Sequence, residues 1–501
     1  MSRILSEKYR SKIMSAEEAA KLIKHGDNVG FSGFTGSGYP KAVPGALAEQ
    51  IRAAHERGEP FVINSYTGAS TAPEHDGALA EVNGVGMRMP YQSDPIMRNK
   101  INDGTSEYYD VHLSHVARQV RAGFWGKLDV AVIEVTLIKE DGKVVPSSSV
   151  GNNHVYLEMA EKIILEVNSW QSVELEGMHD IYNLKAEGQN KPIPIAHAGD
   201  RIGSRHYDID FDRVAAVVLT DAPDRNTPFK DLDEDSLTIA RHLLDFFDLE
   251  VAAGRLPKNL LPLQSGVGNI ANAVLAGLNQ GHFENLTSFT EVIQDGMVEM
   301  IDSGKLSVAS ATAFSLSPEA AHKMNEEASF YRTRIVMRPQ EVSNHPEAIR
   351  RLGVISCNGL IEADLYGNVN STHIMGTRMQ NGIGGSGDFT RNAYISAFVS
   401  PSTAKGGDIS CIVPMVSHVD HTEHDVQVVI TEQGLADLRG LSPKQRAKAV
   451  IENCAHPDFK PMLQDYYDRA VRSAKGIHTP HVMNEALSWH VRMLETGTMK
   501  A

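Results

Sequence analysis

Two open α/β domains with mainly parallel sheets are what this sequence predicts, and three observations carry the prediction. The order strand, glycine loop, helix, strand occurs in DNVGFSGFTGSGYPKAVPGALAEQIRAAHERGEPFVINSYTGAS and returns in LLPLQSGVGNIANAVLAGLNQGHFENLTSFTEVIQDG. Between them, DAPDRNTPFKDLDEDS is polar, acidic and proline-bearing with no apolar period, which places a boundary near residue 225. A chain of 501 residues also exceeds what one hydrophobic core usually organises. The expected domains are therefore 1–225 and 226–501.

The elements follow in chain order. MSRILSEKYRSKIMSAEEAAKLIKHGD mixes charges into an amphipathic helix and has no continuous apolar segment, so no secretory signal is expected. Val29 to Phe34 reads as a strand, Gly36 and Gly38 as a loop, Val43 to Ala54 as a helix and Phe61 to Tyr66 as the next strand. LDVAVIEVTLI, EKIILEV and VAAVVL are further short β-branched runs, and AVIEVTLIKEDGKVV reads as an antiparallel hairpin added to a parallel sheet. Past the boundary, Ser236 to Ala253 is helical and bridges the halves. In the second half Gly266 and Gly268 open a helix from Asn269 to Leu278, and KLSVASA, RIVMRP, GDISCIVPMV and VQVVITEQG supply strands.

A formal charge of −15 argues against a nucleic-acid partner, yet leaves room for an anionic small molecule at a local site. Cys357, Cys411 and Cys454 are widely spaced and odd in number, which fits reduced thiols rather than a disulfide framework or a zinc site. No run is long enough to span a bilayer. These features together predict a cytoplasmic protein with no membrane partner.

The apolar run LTSFT ends on a carboxylate, Glu291, where a turn residue is usual. A buried acid is costly unless something nearby uses its charge, and in open α/β sheets ligands sit beyond the carboxyl ends of strands. The loop SGVG frees backbone N–H groups at a helix start, suited to an anion or a developing oxyanion. GVGNIA also fits the dinucleotide fingerprint, with Glu291 about twenty residues on. The two features support a nicotinamide-dependent oxidoreductase almost as well as a site in which the acid does chemistry. QNGIGGSGDFTRNAY packs Gly382, Gly384, Gly385 and Gly387 into one loop, a backbone surface for close ligand approach. GFTGSGYP reads either as a ligand loop or as a tight bend.

Other polar clusters read as structure. Glu362 and Asp364 in EADLYGN fit a solvated hairpin, and SHVDHTEHD, with His418, Asp420, His421, Glu423, His424 and Asp425, fits a polar surface loop rather than a metal site. His112 and His115 fit a partly buried segment. No serine elbow, Walker loop or zinc spacing appears.

Taken together, LPLQSGVGNIANAVLAGL, SFTEVIQDGM, VSNHPEAIRRLG, EADLYGNVNSTHIMGT, NGIGGSGDF, SPSTAKGGDIS and VITEQGLADLRGLSP resemble the acetyl-CoA hydrolase/transferase family, and within it the bacterial succinyl-CoA:acetate CoA-transferases. The likeness runs from GFTGSGYPKAVP through PSSSVGN to CAHPDFKPMLQDYYDRA and ALSWH. It implies two α/β domains with the active site at their interface, a homodimer, and acyl-CoA and small carboxylates as substrates. It implies no cofactor and no metal, with the coenzyme A thioester as a substrate. Glu291 is implied to be the nucleophile, with the backbone N–H groups of Val267 and Gly385 forming an oxyanion hole. Asn344 is implied to hold the small carboxylate, and Glu432 to support that polar network. Lys405 is implied to contact CoA, with Gln264, Ser265, Gly266, Val267, Gly268, Asn269 and Gly385 lying along the same ligand. The implied activity is CoA transfer from succinyl-CoA to acetate, with hydrolysis of acetyl-CoA as the alternative outcome of the same intermediate. No family site is implied for the TEHD segment.

Overall fold

Residues 3–186, 188–225, 231–473, 475 and 477–501 are described in this computed structural model. The chain folds as two units whose boundaries do not follow chain order. The first comprises Met1–Phe229, Thr287–Asp302 and Leu306–Leu352, and the second Lys230–Leu286, Ser303–Lys305 and Gly353–Ala501. The expected single cut near residue 225 falls close to the first break. The segment bearing Glu291, however, expected in the C-terminal domain, packs into the first unit. Chain order alone cannot show this, because the placing rests on tertiary contacts such as the N–H groups of Thr312 and Ala313 on the Glu291 carbonyl.

In the first unit the strand Asn28–Phe31 pairs in parallel with Ile63–Tyr66 on one side and Val130–Ile138 on the other. The sheet continues through Val85–Met89 to Glu107–Tyr108, and on the other side through Lys162–Asn168 to Val214–Thr220, all parallel. Val144–Pro146 returns antiparallel on Val130–Ile138, as the hairpin pattern predicts. The helix Val43–Glu56 buries Leu47, Ala48, Ile51 and Ala54, and this one-sided spacing seats it on Val29, Phe31 and Ile63 of the sheet. The N-terminal segment is not one helix. It forms Glu7–Arg10 and Ala16–Ala20, because Ser15 and Glu18 make a reciprocal capping box that starts a new helix.

The first unit also holds Leu306–Ala311 and Ile335–Met337, paired in parallel, and the short parallel pair Val292–Gln294 and Ala313–Ser315. Met89–Pro90 is a cis peptide bond.

The second unit is built on the parallel strands Leu263–Ser265, Ile355–Gly359, Ile395–Val399 and Val428–Thr431, closed at one edge by antiparallel Gly434–Asp437. The helix Glu234–Ala252 matches its expected span, capped by Asp233, which accepts from the Ser236 N–H at 2.8 Å. Phe398, Val429, Val450, Leu463 and Trp489 centre a core that extends to the C-terminal helices. Among the described residues no helix is long and apolar enough to cross a membrane.

Candidate active site

The strand Leu286–Phe289 ends, and after Thr290 the backbone bends at Glu291 before resuming as Val292–Gln294. Three hydrogen bonds pin the bend: Thr290 N–H donates to the Ser310 carbonyl at 2.9 Å, and the N–H groups of Thr312 and Ala313 converge on the Glu291 carbonyl at 2.8 and 3.2 Å. The apolar run therefore stops on an acid because the chain turns there, with Thr290 and Val292 buried while Glu291 stays half-buried.

Asn344 meets this acid. It ends the short helix Gln340–Ser343, is fully buried, and donates from Nδ2 to Glu291 Oε1 at 2.7 Å. The carboxylate can only accept, so the amide turns its NH₂ to Glu291, and its Oδ1 accepts from the Ser343 hydroxyl at 2.8 Å. Beside Glu291 lies an apolar wall of Phe34, Ala69, Leu113, Val292 and Ala313, against which Tyr91 packs. Burial and then the Glu291 carboxylate push the Tyr91 phenol up to about 12. A half-dry carboxylate on which an oriented amide donates is a candidate nucleophile.

The helix that ends in Asn344 is itself anchored. Glu341 is buried and takes a two-pronged ion pair from Arg121 at 2.8 and 2.9 Å, with His154 Nε2 2.6 Å from Oε1. Burial disfavours its charge, but His154 and Arg121 outweigh that and bring the carboxyl down to about 2. Gln340 bonds the Leu113 carbonyl at 3.1 Å.

The remaining expected site residues lie in the second unit. Gln264 and Ser265 end a strand, with Gln264 Nε2 on Asn358 Oδ1 at 3.0 Å and Gly266 N–H on the Cys357 carbonyl at 3.0 Å. Val267 is 63% exposed, which is unusual for its side chain. Gly268, at φ 126°, opens the helix Asn269–Gln280, and that backbone favours glycine. Asn269 Nδ2 bonds Asp233 at 3.1 Å. Gly385 stands at the start of the helix Ser386–Asn392, so the third glycine cluster also opens a helix. Glu432 accepts from Ser402 N–H at 2.7 Å, from the Ser402 hydroxyl and from Gln433 Nε2 at 2.9 Å. Burial opposes its charge, but these donors hold its carboxyl below the usual range. Lys405 is exposed at the tip of a hairpin formed by Thr403–Ala404 and Ile409–Ser410.

Two polar clusters differ from expectation. Glu362 and Asp364 are buried rather than solvated: Glu362 bonds Ser417, Asn370 and His490, and Asp364 accepts from Tyr366 and Asn368. In SHVDHTEHD, Asp420 and His421 are not surface groups. Asp420 accepts from Ser371 N–H at 2.7 Å, and His421 lies buried 3.1 Å from the Ser386 hydroxyl. Among the described residues no cluster of three or more His, Cys, Asp or Glu is arranged to hold a metal ion.

Sequence reading missed Tyr91, Ser343, Glu341, His154 and Arg121. The available signal was VSN itself, a hydroxyl beside a buried amide, whereas Arg121 and His154 reach Glu341 only through long-range packing.

Family models for the N-terminal and C-terminal domains of acetyl-CoA hydrolase/transferase match residues 2–198 and 322–467. The chain is 50% identical over 498 residues to a succinyl-CoA:acetate CoA-transferase of Clostridium kluyveri, covering 99% of this chain and 92% of that one. It is 45% identical to a propanoyl-CoA:succinate CoA transferase of Escherichia coli, covering 97% and 98%. An acetyl-CoA hydrolase of Saccharomyces cerevisiae is 42% identical, covering 99% and 97%. The structure of RipA from Yersinia pestis superposes with a TM-score of 0.72 at 24% identity over 94% of this chain and 99% of that one, a likeness of fold. The chain belongs to the acetyl-CoA hydrolase/transferase family and is an enzyme of the CoA-transferase and hydrolase type.

Proposed function

We propose that this enzyme moves CoA from succinyl-CoA to acetate, forming acetyl-CoA and succinate by a ping-pong mechanism. The observation that carries the reading is the Glu291 carboxylate set at a strand end with the Asn344 amide on Oε1. Glu291 attacks the thioester carbonyl, the C–S bond breaks, and CoA thiolate leaves a succinyl-glutamyl anhydride. The thiolate then attacks the glutamyl carbonyl, releasing succinate and giving a glutamyl-CoA thioester. Acetate attacks that thioester to form acetyl-glutamyl anhydride and thiolate, and thiolate attack on the acetyl carbonyl returns free Glu291 and acetyl-CoA. Backbone N–H groups of Val267 and Gly385 serve the tetrahedral oxygens, Asn344 holds the carboxylate, and Glu432 supports the polar network. Lys405 and the 264–269 segment take CoA.

No cofactor or metal enters these steps; coenzyme A is substrate. A cytoplasmic homodimer, with no nucleic-acid or membrane partner, completes the reading; a solution mass of a single chain at micromolar concentration would remove the dimer. The nicotinamide-dependent alternative for GVGNIA and Glu291 gives way to the family.

A second reading has its own support in the acetyl-CoA hydrolases at 42–44% identity. Hydrolysis and transfer share the glutamyl intermediate and differ in whether water or a carboxylate captures it. Succinyl-CoA consumption with and without acetate separates them. Acetyl-CoA formed in step with succinyl-CoA lost supports transfer, and acetate-independent release of free CoA at the same rate supports hydrolysis.

A further inference from the structure

A buried ion cluster behind the first glycine loop takes no part in these steps, yet it holds a loop whose backbone is hydrogen-bonded to the segments that position Glu291 and Asn344. Lys41 Nζ lies 2.7 Å from Glu134 Oε2 and 2.9 Å from Asp224 Oδ1, with side chains 5%, 0% and 4% exposed. Asp224 Oδ1 also accepts the Gly38 N–H at 2.9 Å, and its Oδ2 accepts from Gln171 Nε2 at 3.0 Å and from the Ser148 hydroxyl. Lys41 and Asp224 are the charged partners: burial opposes both, and each holds the other charged. Glu134, desolvated beside Asp224, is pushed up to about 7. Buried charge of this kind rarely repays its desolvation in stability, so stability alone does not account for the cluster.

Ser148 belongs to the loop Ser147–Gly151, from which the path divides. On one side Phe314 N–H donates to the Ser148 carbonyl at 3.2 Å, and the hydroxyls of Ser37 and Thr35 donate to the Phe314 carbonyl at 2.7 and 3.0 Å. Phe314 sits in the strand paired with Val292–Gln294, immediately after the N–H groups that hold the Glu291 carbonyl. On the other side Val150 N–H bonds the Thr312 carbonyl at 2.8 Å, and the Gly151 carbonyl accepts the N–H of Gln340 at 3.0 Å. Gln340 opens the helix that ends at Asn344. Gly38 fits because it lacks a side chain: a Cβ there would stand 2.3 Å from Ser149 Oγ, on a backbone at φ 61°.

We propose that the Lys41–Asp224 pair, acting through Ser148, is a positioning device that fixes the loop Ser147–Gly151 and thereby sets Glu291 and Asn344 against each other. It rests on Glu291 being the nucleophile. A misplacement of about 1 Å between reacting groups costs on the order of a hundredfold in rate, so the cluster acts on turnover more than on substrate binding.

Ser148→Ala cuts the link without leaving a charge unpaired, because Asp224 keeps Lys41, Gly38 and Gln171. The expected result is a kcat about ten- to a hundredfold lower, KM for succinyl-CoA within about twofold, a little-changed melting temperature, and borohydride-trapped glutamyl-CoA thioester forming proportionally more slowly. Ser148→Thr, which restores a hydroxyl, recovers kcat, and Asp224→Asn lowers it as Ser148→Ala does. Wild-type kcat in folded Ser148→Ala and Asp224→Asn, with the adduct forming at the wild-type rate, overturns the inference alone. Wild-type enzyme that forms no adduct on Glu291 overturns the nucleophile reading and this inference with it.

Discussion

Asn344 Nδ2 donates to Glu291 Oε1 at 2.7 Å, while the Ser343 hydroxyl occupies Asn344 Oδ1 at 2.8 Å. This two-link chain fixes the direction of the amide, so the carboxylate meets a donor and not an acceptor. Asn344→Ala should lower kcat by about a hundredfold. Asn344→Asp should do worse, because it places a second carboxylate against Glu291. Ser343→Ala, which removes the bond on Oδ1 but leaves the NH₂ on the carboxylate, should cost less than Asn344→Ala. Steady-state kinetics on the three variants checks the order, and an Asn344→Ala enzyme with wild-type kcat would break it.

Glu341 should matter to stability. It is 2% exposed and balances Arg121 and His154. Glu341→Gln breaks the two-pronged buried pair and leaves Arg121 only the more exposed Glu158, 2.9 Å from its Nε, a change worth up to about 3–5 kcal/mol. Urea unfolding of wild type and variant measures it. A difference under about 1 kcal/mol, in the range of exposed ion pairs, would contradict the buried-pair account.

Acid should reveal a second buried group. His75 packs against Phe31 with the ring centroids 4.4 Å apart, and neither ring nitrogen has a hydrogen-bond partner among the described residues. Burial lowers its imidazole to about 4, below the roughly 6.5 of an exposed histidine. The unfolded chain therefore takes up this proton first as pH falls. The contribution to stability is complete above about 6.5 and is lost progressively towards 4. Glu134 and Asp364, whose carboxyls burial pushes up to about 7 and about 6, act in the opposite sense, so the comparison must be between variants. His75→Leu should gain on wild type by on the order of 1 kcal/mol between pH 7.5 and pH 5.5. A pH-independent difference would show that His75 does not titrate on unfolding.

The thiols should be inert. Cys357, Cys411 and Cys454 are buried, and burial pushes them up to about 12, 11 and 12. Native enzyme treated with iodoacetamide at pH 7.5 should keep full activity and carry no label, whereas in urea all three should react. Rapid labelling of the native protein with loss of turnover would contradict this.

Much of this fold was legible in the sequence because its signals are local. The strand from Val29, the helix from Val43 and the second glycine loop into Asn269 follow from periodicity and glycine placement, and the structure forms all three, the strand ending at Phe31 rather than Phe34. The acid at the end of an apolar run was also visible at Glu291. What could not be read was long-range. Asp224 looks like part of a polar linker and Lys41 like a loop cation, and only folding brings them to 2.9 Å. Glu362 looks solvated beside a Tyr-Gly-Asn turn until His490, on the C-terminal helix, closes over it at 2.6 Å. The placing of Thr287–Asp302 in the first unit is likewise tertiary, resting on contacts such as the Thr312 and Ala313 N–H groups on the Glu291 carbonyl.

The most direct measurement is on Glu291 itself. Glu291→Ala removes no apolar core atoms, so the protein should fold while CoA exchange is abolished. Glu291→Asp withdraws the carboxylate by one methylene and should lose on the order of a hundredfold. Wild-type enzyme mixed with succinyl-CoA and no acceptor should accumulate a thioester on the peptide containing SFTEVIQDG, and borohydride should reduce it and trap inactive enzyme. Mass spectrometry that places the adduct on Glu291 is the predicted result. An adduct on another residue, or none while exchange runs at full rate, would contradict the assignment of Glu291 as the nucleophile.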